Sequence, residues 1–248
     1  MVEVGSMNGC SLSDIEIVIS EKTAAIVYLF GPGIHQSGPS ITEVKKLVEP
    51  LGIPIIVNAA AMLPPKSNLQ KFISEGADLV CMSGGKVIQG PQGSGLLFGR
   101  SDLIDKALQL SSPNLSVGRA HKVSKETMIG LYTALKIYVD SDENKMLESM
   151  LFRLNLIERD LRLPESVEYN IKHDDYEYFI PTLVIELSPK WTGPSAAGLM
   201  KDLLSESPRL FVRHNEAKQR IEVNPFSLKL DDTNTVAKKL NDTLEKYQ

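Results

Sequence analysis

Three short apolar runs, Ala24–Phe30 (AAIVYLF), Ile53–Val57 (IPIIV) and Ala77–Met82 (ADLVCM), alternate with segments of helical periodicity, and this alternation limits the possible folds more than any other property of the chain. Each run is too short for a helix and too continuously apolar for a strand with one wet face, so each predicts a buried strand. The first ends in Gly31-Pro32-Gly33, a loop signal. Between the first two runs, Val44, Leu47, Val48 and Leu51 recur at helical spacing over Ile41–Leu51, with Gly52 as the stop. Ser67–Glu75 predicts a short helix closed by Gly76. Strand, helix, strand, helix, strand at this spacing predicts βαβ crossovers and a mostly parallel sheet. A fourth run, Ser94–Phe98 (SGLLF), follows the third too closely for a crossover. It is expected to turn back antiparallel or to enter the sheet elsewhere.

The second half reads differently. Met128, Leu131, Tyr132, Leu135 and Tyr138 mark a helix over Lys125–Val139, and Leu147, Met150, Leu151, Leu154 and Leu161 mark another over Met146–Leu161. Strands are expected at Val167–Lys172, Thr182–Leu187, Leu210–Arg213 and Arg220–Val223, with helices at Ser195–Leu204 and Asp231–Tyr247. That is an α+β unit. The boundary is expected between residues 140 and 160, drawn as 1–145 and 146–248.

Composition narrows the partners. With 27 Lys and Arg against 31 Asp and Glu, the formal charge is −4, so nothing global points to nucleic acid or an anionic membrane surface. No apolar run approaches the roughly 18 residues of a membrane span, and the first residues lack the pattern of a signal peptide. Cys10 and Cys81 do not make a disulfide framework and are expected in the core. His35, His121, His173 and His214 are scattered without metal-ligand spacing, so no metal is assigned. The expected location is the cytoplasm.

Ligands of open parallel sheets bind outside the carboxyl ends of the strands. Three polar features should meet there: Asn58 after the second strand, Ser83-Gly84-Gly85-Lys86 after the third, and the turn Gly90-Pro91-Gln92-Gly93-Ser94-Gly95. Lys86 stands between a buried strand and glycines that admit close backbone approach, a poor place for a lysine that only solvates. A desolvated lysine can attack a carbonyl as the neutral amine. Read locally, a surface lysine in a loop is the competing interpretation. The glycine-rich turn is compatible with a phosphate nest, and equally with a tight turn entering a strand.

The combination is more specific than its parts. VNAAAMLPP (Val57–Pro65), GADLVCMSGGKVIQGPQGSGLLFGR (Gly76–Arg100) and GRAHKVSKE (Gly118–Glu126) together resemble the selenocysteine-synthase-like (SelA-like) branch of the fold-type I, aspartate-aminotransferase-like enzymes that use pyridoxal 5'-phosphate (PLP). The likeness is greater to the shorter, D-glucosaminate-6-phosphate ammonia-lyase-like members. The resemblance implies that residues 1–145 are part of a PLP-binding large domain and that the rest is the small α+β domain. It implies that Lys86 forms the internal aldimine and moves the proton at the substrate α-carbon, that Ser83 binds the cofactor phosphate and that Ala60 lies on the pyridine ring. Gln92, Gly93 and Ser94 match a loop that approaches the phosphate across a dimer interface, which implies a homodimer or higher homo-oligomer. Arg119 and Lys122 match a basic pair able to hold a substrate carboxylate or phosphate; a solvated helix start capped near Ser124 is the other reading of that pair. Arg213 ends a small-domain strand, where this fold often keeps a carboxylate-binding arginine.

Two departures from the family pattern follow. Asn58 stands where the family has an aspartate that keeps the pyridine nitrogen protonated, so the ring should be a weaker electron sink and the reaction slow or altered. Family members also carry well over a hundred residues before the equivalent of Met1, including the main phosphate-binding helix start. Val2–Gly5 itself reads like the middle of a strand. A fragment or a decayed paralogue is therefore expected, with an apolar sheet edge and face exposed, and so poorly soluble or obligately oligomeric. The implied activity is a PLP-dependent lyase acting on an amino acid or amino sugar acid by α-proton abstraction and β-elimination. Selenium transfer on seryl-tRNA, and a non-catalytic dimerisation module, are the alternatives.

Overall fold

A computed structural model of the chain describes residues 1–6, 9–32, 37–175 and 177–247. Gly33 of the first loop signal and His35 lie outside the described residues. The chain divides into two compact units, Met1–Ser141 and Asp142–Gln248.

The first unit opens with α1 (Leu12–Val18), whose Ser11 and Asp14 cap each other's end of the first turn. It continues with β1 (Ile26–Leu29), α2 (Ile41–Val48), β2 (Ile55–Asn58), α3 (Asn68–Ser74), β3 (Leu79–Ser83), β4 (Gly95–Gly99), α4 (Ser101–Leu110) and α5 (Lys125–Asp140). The sheet order is β1-β2-β3-β4; the first three strands are parallel and β4 returns antiparallel to β3. Helices α1 and α4 were not anticipated from the sequence. Val2–Gly5 is not a strand, and an isolated bridge joins Ser6 and Gly9 just after it.

One face of this sheet is a core. Ile55, Val57, Val80 and Met82 are buried together with Ile41, Val44 and Val48 of α2 and Phe72 of α3, and Phe72 meets the Phe30 ring edge-on at 4.9 Å. The other face corrects an expectation. Leu29, Asn58, Cys81 and Leu97 are paired in one row across the four strands, with Val27 and Ile56 in the next row of the same face. Val27, Leu29 and Leu97 are 65%, 61% and 43% exposed, and Ile26 and Tyr28 are half-buried, so β1 is not the buried strand expected. Cys81 in that row is half-buried, as is Cys10, so neither cysteine is a core residue.

At the amino end of β3 the buried Asp78 gathers three elements. It accepts from Ile55 N–H of β2 at 2.8 Å, from Lys45 Nζ of α2 at 3.2 Å and from Arg100, just past β4, at 3.1 Å. Burial alone would raise its pKa, but these donors outweigh it and hold the carboxyl below its ordinary value.

The second unit comprises α6 (Glu143–Asp160), β5 (Val167–Lys172), β6 (Thr182–Leu187), α7 (Ala196–Ser205), β7 (Arg213–Asn215), β8 (Arg220–Val223) and α8 (Thr233–Leu244). Its sheet is antiparallel in the order β5-β6-β8-β7. Leu183, Ile185, Ile221 and Val223 form one core with Leu154 and Ile157 of α6, Leu199 and Leu203 of α7 and Leu240 of α8. The strand expected at Leu210–Arg213 begins only at Arg213. Val212 belongs to the core instead, and Leu210 N–H bonds to Leu203 C=O after the end of α7.

Alternation along β8 sends Arg220 and Glu222 to the opposite face, where both are buried. Arg220 Nε donates to Glu222 at 2.9 Å and its other arm reaches Glu177. Tyr178, from the β5–β6 connection, donates its hydroxyl to Glu222 at 3.2 Å and lies under the Arg220 guanidinium, 5.6 Å from the ring centroid. Burial, then the neighbouring Glu222, pushes the Tyr178 hydroxyl well above its ordinary pKa, so it stays a donor.

Candidate active site

The carboxyl ends of β2 and β3 carry the polar groups. Asn58 is exposed; its backbone carbonyl accepts from Phe30 N–H, and its side-chain Oδ1 accepts from Ala60 N–H at 3.2 Å. That bond leaves the amide nitrogen of Asn58 free to donate outward. Asn58 is level with Cys81 in the sheet, and Ser83 lies two residues further along β3, so Asn58 and Ser83 share the open face.

Beyond Ser83 the chain folds back on itself. Gly84 N–H donates to Ser94 C=O at 3.0 Å, Gly90 N–H to Gly84 C=O at 2.8 Å, Gln89 N–H to Lys86 C=O at 2.8 Å and Ser94 N–H to Pro91 C=O at 3.0 Å. The two glycine segments therefore lie against each other. A Cβ on Gly85 would stand 2.2 Å from Gln92 Oε1, and one on Gly84 2.4 Å from Ser94 Oγ and 2.5 Å from Leu131 Cδ1 of α5. At Gly85 the Gln92 backbone also stands within 2.9 Å and leaves no room for a side chain, whereas at Gly84 the side chains of Ser94 and Leu131 would have to move. Gln89 adopts φ +58°, an uncommon backbone region for a residue with a side chain, to close the turn that starts at Lys86. Gly93, in contrast, faces open space.

Lys86 projects from this turn. Gly84, Val87 and Ile88 around it are buried while Lys86 itself is exposed, which corrects the expectation of a desolvated lysine. Cys81, the half-buried thiol of the same face, has its pKa pushed up by burial and is not primed as a nucleophile.

The structure thus brings Asn58, Ala60, Ser83, Lys86, Gln92, Gly93 and Ser94 to one end of the first-unit sheet. Arg119 and Lys122 lie between α4 and α5, both exposed. The bonds that order this segment are internal: Arg119 donates to Ser112 Oγ at 3.1 Å, and Gly118 N–H to Leu110 C=O at 2.8 Å. Ser124 caps α5 by accepting from Thr127 N–H. Arg213 belongs to the second unit, where its Nε stands 3.5 Å from the buried Glu222 carboxylate. A partner nine residues along the same hairpin already occupies it.

Sequence reasoning missed the contribution of α5. Gly130 sits against Pro91, where an added Cβ would meet Pro91 Cγ at 2.9 Å, and Leu131 fills the space beside Gly84 and Gly90. A lone glycine inside a helical pattern was the available signal.

A mostly parallel sheet with a second, antiparallel sheet after it matches part of the architecture of the fold-type I PLP enzymes. Residues 1–168, more than half of the chain, match the family model SelA, L-seryl-tRNA selenium transferase, and the chain belongs to this family. It is 28% identical over 246 residues to a 5'-C-glycyluridine monooxygenase-decarboxylase of Streptomyces sp, covering 98% of this chain and 60% of that protein. It is 35% identical over 139 residues to the D-glucosaminate-6-phosphate ammonia lyase of Salmonella typhimurium, covering 56% of this chain and 36% of that one. A solved structure of D-glucosaminate-6-phosphate ammonia-lyase superposes with TM-score 0.75 at 24% identity, over 99% of this chain and 64% of the other. The chain spans about 60% or less of the length of these two curated relatives.

Proposed function

We propose that this chain holds PLP at the carboxyl ends of β2 and β3 and serves a lyase reaction on an amino acid or amino sugar acid, by α-proton abstraction and β-elimination. The observation that carries the reading is the donor set itself. An exposed primary amine on Lys86, a hydroxyl on Ser83 and a carboxamide on Asn58 stand on adjacent strand ends, types suited to the carbonyl, the phosphate and the ring nitrogen of PLP. The names of the relatives add support: 5'-C-glycyluridine, D-glucosaminate-6-phosphate and L-seryl-tRNA all contain an α-amino acid or its acyl form.

PLP, when bound, supplies an electron-withdrawing ring that delocalises the electron pair left at the substrate α-carbon. The chain's own groups do the rest. Lys86 carries the proton to and from that carbon. Ser83 fixes the phosphate end with a hydroxyl donor. Asn58, oriented by Ala60 N–H, offers a hydrogen bond without negative charge, which makes the delocalisation weaker than an aspartate would and the reaction slow. Ala60 presents a small side chain to the ring. Gln92, Gly93 and Ser94 border the phosphate, and Arg119 and Lys122 are available for anionic groups of the substrate. A homo-oligomer in the cytoplasm is part of this reading.

Titration with PLP tests it. The expected result is a visible absorbance band that Lys86→Ala lacks, with borohydride fixing the cofactor on Lys86 in a peptide map. A wild-type chain without the band sinks the proposal and favours a non-catalytic, self-associating member of the family, for which the neutral Asn58 and the open apolar face are the supporting observations.

A further inference from the structure

Lys66 closes the connection between β2 and α3, the segment that begins with Asn58 and Ala60. From there it reaches the far end of α5: Nζ donates to Val139 C=O at 2.9 Å and to Ser141 C=O, and stands 5.7 Å from the centroid of the Tyr138 ring. A helix C-terminus leaves its last carbonyls without helical donors and concentrates negative partial charge there, so a lysine is attracted by both. Tyr138 C=O is served locally by the backbone and hydroxyl of Ser141. Lys66 supplies donors to the carbonyls of Val139 and Ser141.

The same helix lies against the Lys86 segment through its middle. Leu131 fills the space beside Gly84 and Gly90, and Gly130 admits Pro91. Helix α5 is therefore held at two points, by the segment that carries Asn58 and by the two loops that carry Lys86 and Ser94. We propose that Lys66 is a positioning residue: by fixing the end of α5 it sets the spacing between the Asn58 side and the Lys86 side of the candidate site. The link to PLP rests on the reading above; the ordering of the loops does not.

Amide hydrogen exchange separates the two. The amides to follow are Gly84, Gly90 and Ser94, whose bonds tie the loops together. In Lys66→Met they are expected to exchange on the order of tenfold faster than in wild type, while the β1–β2 ladder is unchanged. Lys66→Arg keeps the charge and the donors and should bring all three back to within about twofold of wild type. Unchanged rates at these amides in Lys66→Met overturn the proposal. So does a uniform rise throughout the first unit, because Lys66 would then stabilise the whole fold and position nothing. With PLP, Lys66→Met should need on the order of tenfold more cofactor for half-saturation of the visible band. An unchanged half-saturation breaks the link to the site. A wild-type chain that takes up no PLP defeats the cofactor reading, and the exchange rates still decide the role of Lys66.

Discussion

In the second unit α6, α7 and α8 close one face of the β5-β6-β8-β7 sheet, and on the other Tyr178 lies over the buried Arg220–Glu222 pair of the central strand β8. In the first unit helices close one face, while the row from Leu29 through Asn58 and Cys81 to Leu97 stays open. The closed sheet holds ionic groups inside, where each depends on its partner. The open sheet holds its candidate chemistry on the uncovered side, where the same groups carry little of the stability. In the first unit, burial and the candidate site thus lie on opposite faces of one sheet.

The largest effect is expected at the closed face. Glu222→Ala would leave Arg220 buried with Glu177 alone and remove the acceptor of Tyr178, at a cost of about 3–5 kcal/mol. The single tryptophan, Trp191, lies in the second unit, bonded to Pro194 C=O and set against Tyr247. Its fluorescence during urea unfolding reads this loss directly, and an unmoved midpoint would show that the network contributes nothing.

Asp78→Ala comes next, at about 2–3 kcal/mol, since Ile55 N–H is left without an acceptor while Lys45 and Arg100 can turn to water. It should displace the far-UV circular dichroism transition and spare the Trp191 signal. The sign with pH follows from the lowered pKa of Asp78: its contribution is complete above the ordinary aspartate value near ~4 and disappears as pH falls through the lower folded value. The first unit of wild type should therefore lose stability in acid, and Asp78→Asn should be less stable at neutral pH with a flatter acid limb. An equally steep limb in Asp78→Asn would remove Asp78 from the account.

The smallest change in stability belongs to the open face. Val27→Thr with Leu29→Thr keeps strand-forming residues at positions already in water and should shift stability by no more than about 0.5 kcal/mol. It should, however, reduce self-association in sedimentation velocity, because exposed apolar surface is removed as a contact. A wild-type chain that sediments as a monomer at the same concentration would contradict this.

The sheet was legible because its signals are local: apolar runs bounded by glycine, and helices whose spacing repeats. Strands β5, β6 and β8 begin and end where periodicity puts them. What escaped was set by partners distant in sequence. The run Ala24–Phe30 reads as fully buried, yet only neighbours decide whether Val27 and Leu29 are covered. Helix α4 buries no residue although Leu103, Ile104, Ala107 and Leu108 recur at helical spacing, and α1 is announced by the capping residues Ser11 and Asp14. At the candidate site, the strand-end rule located Asn58, Ser83 and Lys86. It could not foresee that Leu131 and Gly130 would support them, or that Arg213 would turn to Glu222 across a hairpin.

The contact between the two glycine segments bears on how this chain's motif should be read. Gly84 and Gly85 are confined by Ser94, Leu131 and Gln92, all atoms of the protein itself. A lineage could lose its cofactor altogether and still be held to Gly85, since a side chain there would press on the Gln92 backbone. The glycines of SGGK are therefore held by the packing of the protein on itself, independently of any bound group.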